Sequence, residues 1–337
     1  MRLEFEFTAY LNNALHRSRD SDGFQCLVCL SRLGDRGRYT AKVSLATVLD
    51  NKKNSMNHPQ LSESQQKTVL SALQEHDLSR VAQSVLSNAR PQLVLSGIEI
   101  GEDPQLGKTR FGGSPDLPSG TVWPDWDGEP LRFMAQIRFC DLDFPCDWPL
   151  PKAGLLSIFA GYADDRFDVE HELIFTTDLG ALRRLEAPKL PWEMEHLLAY
   201  PAKASMGISI PGYDDLEWNE MELDDEETNR YFDVQNMLTY KNWDGALLGR
   251  DYDVDQRPTH RLAIDEMDGP PYDTAWENLN RPRILAEARN WVPLFQMSSL
   301  MEIGLCLWDA YAFVVLIRLE DLRAGRFDET RGHLARI

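Results

Sequence analysis

Phe111-Gly112-Gly113-Ser114-Pro115-Asp116-Leu117-Pro118-Ser119-Gly120-Thr121-Val122-Trp123-Pro124, followed shortly by Phe133-Met134-Ala135-Gln136-Ile137, is the stretch that decides how this chain folds. The paired glycines permit a turn that a side chain would forbid. Pro115, Pro118 and Pro124 fix φ and rule out a helix through the segment. An apolar strand with a single glutamine inside it follows. Extended, punctuated chain of this kind reads as β structure.

The rest of the second region repeats the theme. Leu247-Leu248-Gly249 precedes Pro293-Leu294-Phe295-Gln296-Met297 and then Tyr311-Ala312-Phe313-Val314-Val315-Leu316. The first half has Gly112-Gly113, then the Gln136 strand, then Gly154-Leu155-Leu156-Ser157-Ile158-Phe159. Each half is a glycine turn, a strand with a central Gln, and an apolar strand. The expectation is an α+β fold with two similar antiparallel β units forming one core by internal duplication. Residues 1–90 read as a small N-terminal α+β unit, and 91–337 as the larger domain. In the first unit two strands flank Gly34-Asp35-Arg36-Gly37, a hairpin-like turn. A helix opens at Ser62, where Ser62 and Gln65 have capping-box spacing, and Pro91 ends it.

The region from about residue 90 onward resembles the YwqG family, a bacterial domain family without an established activity. The resemblance rests on Gly112, Gly113, Pro115, Trp123-Pro124, Pro130-Leu131, the Gln136 strand, Gly249 and Gln296. In place of the family's Trp-Gly-Asp-x-Gly turn this chain has Trp308-Asp309-Ala310-Tyr311-Ala312, so a ligand held by that turn in relatives is not carried over. The resemblance implies an α+β fold. Because members occur in bacterial settings rich in contact-dependent toxins, it also implies an immunity or toxin-associated role. Its motif positions, Trp308 and Asp309 included, read as mainly structural.

Fifty-four acidic residues stand against 35 basic ones, for a net charge of −19, in a chain of 337 residues that is 43% apolar. Such a field repels nucleic acid and anionic membranes and attracts basic partners. The N-terminus alternates charged and apolar residues without a signal-peptide h-region. The longest apolar runs are too short to span a bilayer. Five cysteines at irregular spacing do not make a disulfide framework. The expectation is a cytoplasmic protein with free thiols and no cofactor.

One run carries much of the charge: Asp214, Asp215, Glu217, Glu220, Glu222, Asp224, Asp225, Glu226 and Glu227 place nine acids in fourteen residues. Leu216, Trp218, Met221 and Leu223 interrupt it. Acid interleaved with large apolar side chains suits docking on a basic protein, with charge speeding encounter and Trp218 as a desolvated anchor. The alternative is a solvated loop laid over the core.

Other constellations are weaker. Cys26-Leu27-Val28-Cys29 has CxxC spacing, but no second pair follows at zinc-site spacing. His171-Glu172 lacks the second histidine of HExxH, and there is no GxSxG elbow or P-loop. Lys108 and Arg110 beside Gly112-Gly113 read as a turn feeding a strand rather than a phosphate cradle. Gln136 and Gln296 read as structural amides bonded to neighbouring backbone, the alternative being that both line a shared cleft and read a ligand. The leading expectation is a protein-binding protein engaging a basic partner, such as a cognate toxin, through an acidic face. The alternatives are an enzyme or small-molecule binder using that cleft, and a structural or regulatory module without a toxin connection.

Overall fold

The computed structural model describes residues 28–33, 38–43, 58–100, 104–161, 169–189, 196–212, 218–241, 243–253, 257–270, 273–307 and 311–336. Chain contacts divide it into two units, Met1–Asn57 and His58–Ile337. In the first, β1 (Val28–Leu33) and β2 (Arg38–Val43) pair antiparallel, and the turn expected at 34–37 falls outside the described residues. Cys29 lies on β1, and Cys26 falls outside the described residues.

The unit boundary differs from the one expected at Pro91. Helices α1 (Glu63–Glu75) and α2 (Ala82–Asn88) belong to the second unit. Their apolar side chains Val69, Leu73 and Val85, with Val81 from the turn between them, are buried against Ile208, Ile210, Tyr231 and Val234. A helix pair this short cannot hide such a face by itself, so burial ties it to the larger body. The capping box at Ser62 is formed: Gln65 N–H donates to Ser62 Oγ at 3.3 Å and Ser62 N–H to Gln65 Oε1 at 3.0 Å.

Ten strands make one antiparallel sheet. In chain order they are β3 (Arg90–Gly97), β4 (Arg110–Phe111), β8 (Arg132–Arg138), β9 (Leu155–Gly161), β10 (Glu170–Thr176), β12 (Tyr200–Ser209), β13 (Gly245–Leu248), β14 (Trp291–Ser298), β15 (Tyr311–Arg318) and β16 (Thr330–Arg336). Across the sheet the order is β10-β9-β8-β4-β12-β3-β13-β14-β15-β16. Short pairs flank it: β5 (Asp116–Pro118) with β11 (Leu182–Arg184), and β6 (Asp125–Trp126) with β7 (Glu129–Pro130). The sheet nearly closes on itself. His171 Nε2 on β10 and Thr330 Oγ1 on β16 are 2.9 Å apart. At Gly332 a Cβ would stand 2.6 Å from the Val169 carbonyl oxygen, so glycine is what lets these two edges approach.

The order reads the same from either edge when β10, β9, β8, β4 and β12 are set against β16, β15, β14, β13 and β3. Local detail follows the same correspondence. The register between β8 and β9 shifts at Phe133/Ala135, and that between β14 and β15 at Pro293/Phe295. Each skipped residue, Met134 or Leu294, lies two places before the glutamine. Pro293 sits at its bulge, where a missing N–H is tolerated. Gly112 and Gly113 have φ of 56° and 73°; Leu248 and Gly249 have 62° and 84°.

In the middle of the sheet β12 leaves Lys203, Ser205 and Met206 exposed, but both faces of β8, β9 and β14 are buried by covering elements. Beyond α1 and α2 these are α3 (Trp218–Met221), α4 (Asp225–Leu238), α5 (Pro258–Glu266), α6 (Thr274–Ala288) and α7 (Leu319–Ala324). Every residue of β9 is buried, as is nearly all of β14. This explains their continuous apolar composition, where a half-exposed strand would alternate. Helices α5 and α6 pack on each other through Ala263, Ile264, Ile284 and Ala288, and Leu262 reaches the Trp291–Val314–Leu316 cluster.

Candidate functional site

The acidic run is split by the fold. Trp218 opens α3 and is only 8% exposed. Its ring meets Tyr231 edge-on, with centroids 5.1 Å apart, and stacks on Phe232 at 5.7 Å. Met221 is buried beside it. The surface-anchor role expected for Trp218 is therefore corrected: its indole is part of the core under α4, because a ring this large gains more from packing there than from facing water.

Asp224 is the N-cap of α4. Its carboxylate accepts from Glu227 N–H at 2.8 Å, while Asp224 N–H donates to Glu227 Oε2 at 3.2 Å. Arg80, from the 3-10 turn Ser79–Val81 ahead of α2, donates from Nε to Glu227 Oε1 at 2.8 Å. It also donates to the carbonyl oxygens of Met221 (2.7 Å) and Glu222 (2.8 Å). One guanidinium thus fixes the α3–α4 turn. The Arg80 hydrogen bond, with help from Asp224 N–H, pulls the Glu227 carboxyl down to about 2. Asp225, Glu226 and Glu227 in the first turn also complement the helix dipole.

Among the described carboxylates of the run, three outside the capping box face outward. Glu222, Asp225 and Glu226 are exposed, and Glu226 makes a surface pair with Arg230 at 2.8 Å. Glu220 lies on α3, but its side chain is outside the described set, as are Asp214, Asp215 and Glu217. What the arrangement offers is a small anionic face on a rigidly held backbone. Arg80, which builds it, lies 147 residues from Glu227 in sequence and carries no local signal.

The motif positions form two buried polar knots. Gln136 accepts from Asp116 N–H at 3.0 Å and donates to Lys108 O at 2.8 Å and Asp116 Oδ2 at 2.9 Å. Asp116 also accepts from Gly107 N–H (2.7 Å), Arg110 Nη1 (2.8 Å) and Arg184 Nε (2.9 Å). The side chains of Arg110 and Asp116 are wholly buried. Burial alone would raise the Asp116 carboxyl; the Arg184 and Arg110 hydrogen bonds outweigh it and hold it at about 2. In the other half Gln296 donates to the carbonyls of Leu248 (3.3 Å) and Arg250 (3.1 Å). Asp251, also buried, accepts from Arg257 Nη2 and Thr259 N–H, both at 2.6 Å. Burial raises its carboxyl, and Arg257 with Thr259 brings it to about 2.

The other described motif positions bond to neighbouring backbone or sit where a side chain would not fit. Gly112 N–H donates to Met134 O and Gly113 N–H to Leu197 O, and a Cβ at Gly112 would stand 2.4 Å from the Leu198 carbonyl oxygen. Pro115 O accepts from Leu185 N–H and Pro124 O from Leu131 N–H. Trp123 Nε1 donates to Leu131 O at 2.8 Å, and its ring meets Phe159 edge-on. Gly249 approaches Gln92 and Ser209 too closely for a side chain. Trp308 and Asp309 are outside the described residues.

A family model described as a domain of unknown function, DUF1963, matches residues 109–334, about two thirds of the chain. The chain belongs to the DUF1963 family. YwqG-like proteins fall within DUF1963, as the motif positions imply. The match begins after β3, yet β3 pairs with both β12 and β13, so the DUF1963 sheet of this chain extends N-terminal to the match. No protein of curated function matches the chain. Among the described residues no group of three or more His, Cys, Asp and Glu side chains converges to hold a metal ion, and no helix is long and apolar enough to cross a membrane. Cys140, Cys146 and Cys306 are exposed and in no disulfide.

Proposed function

We propose that this DUF1963 protein is a cytoplasmic protein-binding protein that engages a basic partner through the carboxylates around the start of α4. The bacterial settings of YwqG-like relatives make the proposed role that of an immunity or toxin-associated protein. One observation carries the reading: the division of the acidic run. Asp224 and Glu227 are consumed by the cap and by Arg80, while Glu222, Asp225 and Glu226 face outward from a turn that Arg80 holds rigid. Fixed charges on a fixed backbone steer an oppositely charged partner without an ordering cost at the moment of contact. The net charge of −19 extends the same field over the molecule.

The cleft reading has less support. Gln136 and Gln296 are buried and their amides are bonded to backbone of the neighbouring turns, which leaves neither free to read a ligand.

The test is affinity capture from the native cell with the full chain and with a Glu222→Lys, Asp225→Lys, Glu226→Lys variant. A basic protein retained by the parent and lost from the variant is expected. Retention of the same proteins by both contradicts the proposal.

We also infer that the two halves of the sheet descend from one duplicated unit. Support comes from the mirrored strand order, the matched bulges before Gln136 and Gln296, and the matched left-handed pairs at 112–113 and 248–249. Setting Gln136 on Gln296 and following the registers brings His171 into correspondence with Thr330, its partner across the seam, and Ser96 with Lys203, its partner between β3 and β12. Residues that exchange with their own neighbours lie on a two-fold axis.

A further inference from the structure

We infer that the rim around Tyr200 is a second docking surface, which takes a lysine or arginine side chain of a partner protein and seats that partner's apolar neighbours on Ile98, Leu198 and Met301. These three side chains are 63%, 57% and 68% exposed. Large apolar side chains scattered singly need no explanation, but these share one hydrogen-bonded neighbourhood. Ile98 N–H donates to Pro201 O at 2.8 Å, and Leu198 N–H donates to Ile303 O at 3.0 Å, in the turn that carries Met301. Tyr200 stands between these contacts, its ring lying over Gly97, where a Cβ would fall 1.9 Å from the phenol carbon.

Two carboxylates complete the rim. Asp244 Oδ2 accepts from Gly97 N–H at 2.7 Å, and Glu302 is exposed on the turn with Met301. Among the described residues neither has an ion pair. Burial raises the Asp244 carboxyl, the Gly97 N–H opposes this, and the charge of Glu302 raises it further. Burial, Asp244 and Glu302 likewise raise the Tyr200 phenol. Two carboxylates without ion pairs at one apolar edge leave negative charge that a cation supplied by a partner relieves. The aromatic ring adds a cation-attracting surface, and the exposed aliphatic side chains add apolar area.

The surface is distinct from the α4 face and does not rest on it. Tyr200 starts β12, whereas the α4 core meets β12 at Ile208, about 26 Å along the strand at ~3.3 Å per residue. The probe is a synthetic peptide alternating leucine and arginine, titrated calorimetrically into the full chain, with a leucine–glutamate peptide as control. Saturable one-site binding of the basic peptide alone is expected. Glu302→Lys and Met301→Asp, both at exposed positions, should each weaken it by about tenfold. The Glu222→Lys, Asp225→Lys, Glu226→Lys variant should change it by less than about threefold. No saturable binding, equal affinity across all variants, or loss only in the α4 variant overturns the inference. So does a parent that sediments as a dimer and a Met301→Asp variant that does not, since the occupant would then be a second copy.

Discussion

Trp218 stands edge-on to Tyr231, with ring centroids 5.1 Å apart and planes at 89°. The contact converts part of an acidic surface run into core. Trp218→Ala should therefore act on stability, with a loss of about 3–5 kcal/mol, typical of a large aromatic removed from a packed site. Binding of a partner by the protein that remains folded should be unchanged. Denaturant melts and binding measurements on the one variant check both halves of this expectation.

Asp116 is the hub of the first polar knot, and Arg110 is buried with it. Asp116→Ala should cost about 3–5 kcal/mol, because it leaves a buried guanidinium without its counter-charge. Gln136→Leu should cost less, about 1–3 kcal/mol, since it strands the Asp116 N–H and the Lys108 carbonyl but no charge. Urea unfolding in which Gln136→Leu proved the more damaging would contradict this ranking.

Acid should unfold the protein through these same knots. Asp116 and Asp251 both have carboxyls lowered from 3.8 to about 2 in the folded state. A depressed carboxyl contributes stability that is present above the unfolded value and lost as pH falls through the folded one. Each should contribute on the order of 2 kcal/mol above about pH 4, declining toward pH 2. Melts of Asp251→Asn should show a flatter decline over that window than the parent; parallel curves would contradict the assignment.

Two glycines with positive φ separate conformational strain from collision. At Gly120 a Cβ meets nothing within 4 Å, so Gly120→Ala should cost only the left-handed backbone strain, about 1–2 kcal/mol. At Gly112 the Cβ would strike the Leu198 carbonyl oxygen at 2.4 Å. Gly112→Ala should therefore lower the melting temperature by clearly more than Gly120→Ala does.

Local signals in the sequence were legible where they named their own partner. The Ser62–Gln65 box, the paired strands on either side of 34–37 and the Gln136 and Gln296 strands all rest on neighbours within a few residues, and each of these forms. Helix α4 is started by the local Asp224 cap. Elements whose reason is tertiary were hidden. Helix α6 carries Pro282 in its interior and little apolar stripe, and α5 is a short helix opened by Pro258. Strand β12 contains Pro201 and alternates weakly, yet it fills the middle of the sheet because β3 and β4 need a partner. The boundary at Pro91 misled for the same reason: a proline ends α2, but burial decides which body the helices join. The acidic site was legible in composition only. Nothing near Trp218 indicates that Tyr231 will cover it, and nothing near Glu227 indicates Arg80.

The most direct test of the central claim is the association rate of the captured partner as a function of salt. The comparison is between the parent and the Glu222→Lys, Asp225→Lys, Glu226→Lys variant, which leaves the cap and the Arg80 pair intact. Steering by these carboxylates predicts that the variant associates about tenfold or more slowly at low ionic strength. The gap should close as salt approaches about 1 M, where the screening length falls to about 3 Å. Association rates that agree between parent and variant at every salt concentration would contradict the account.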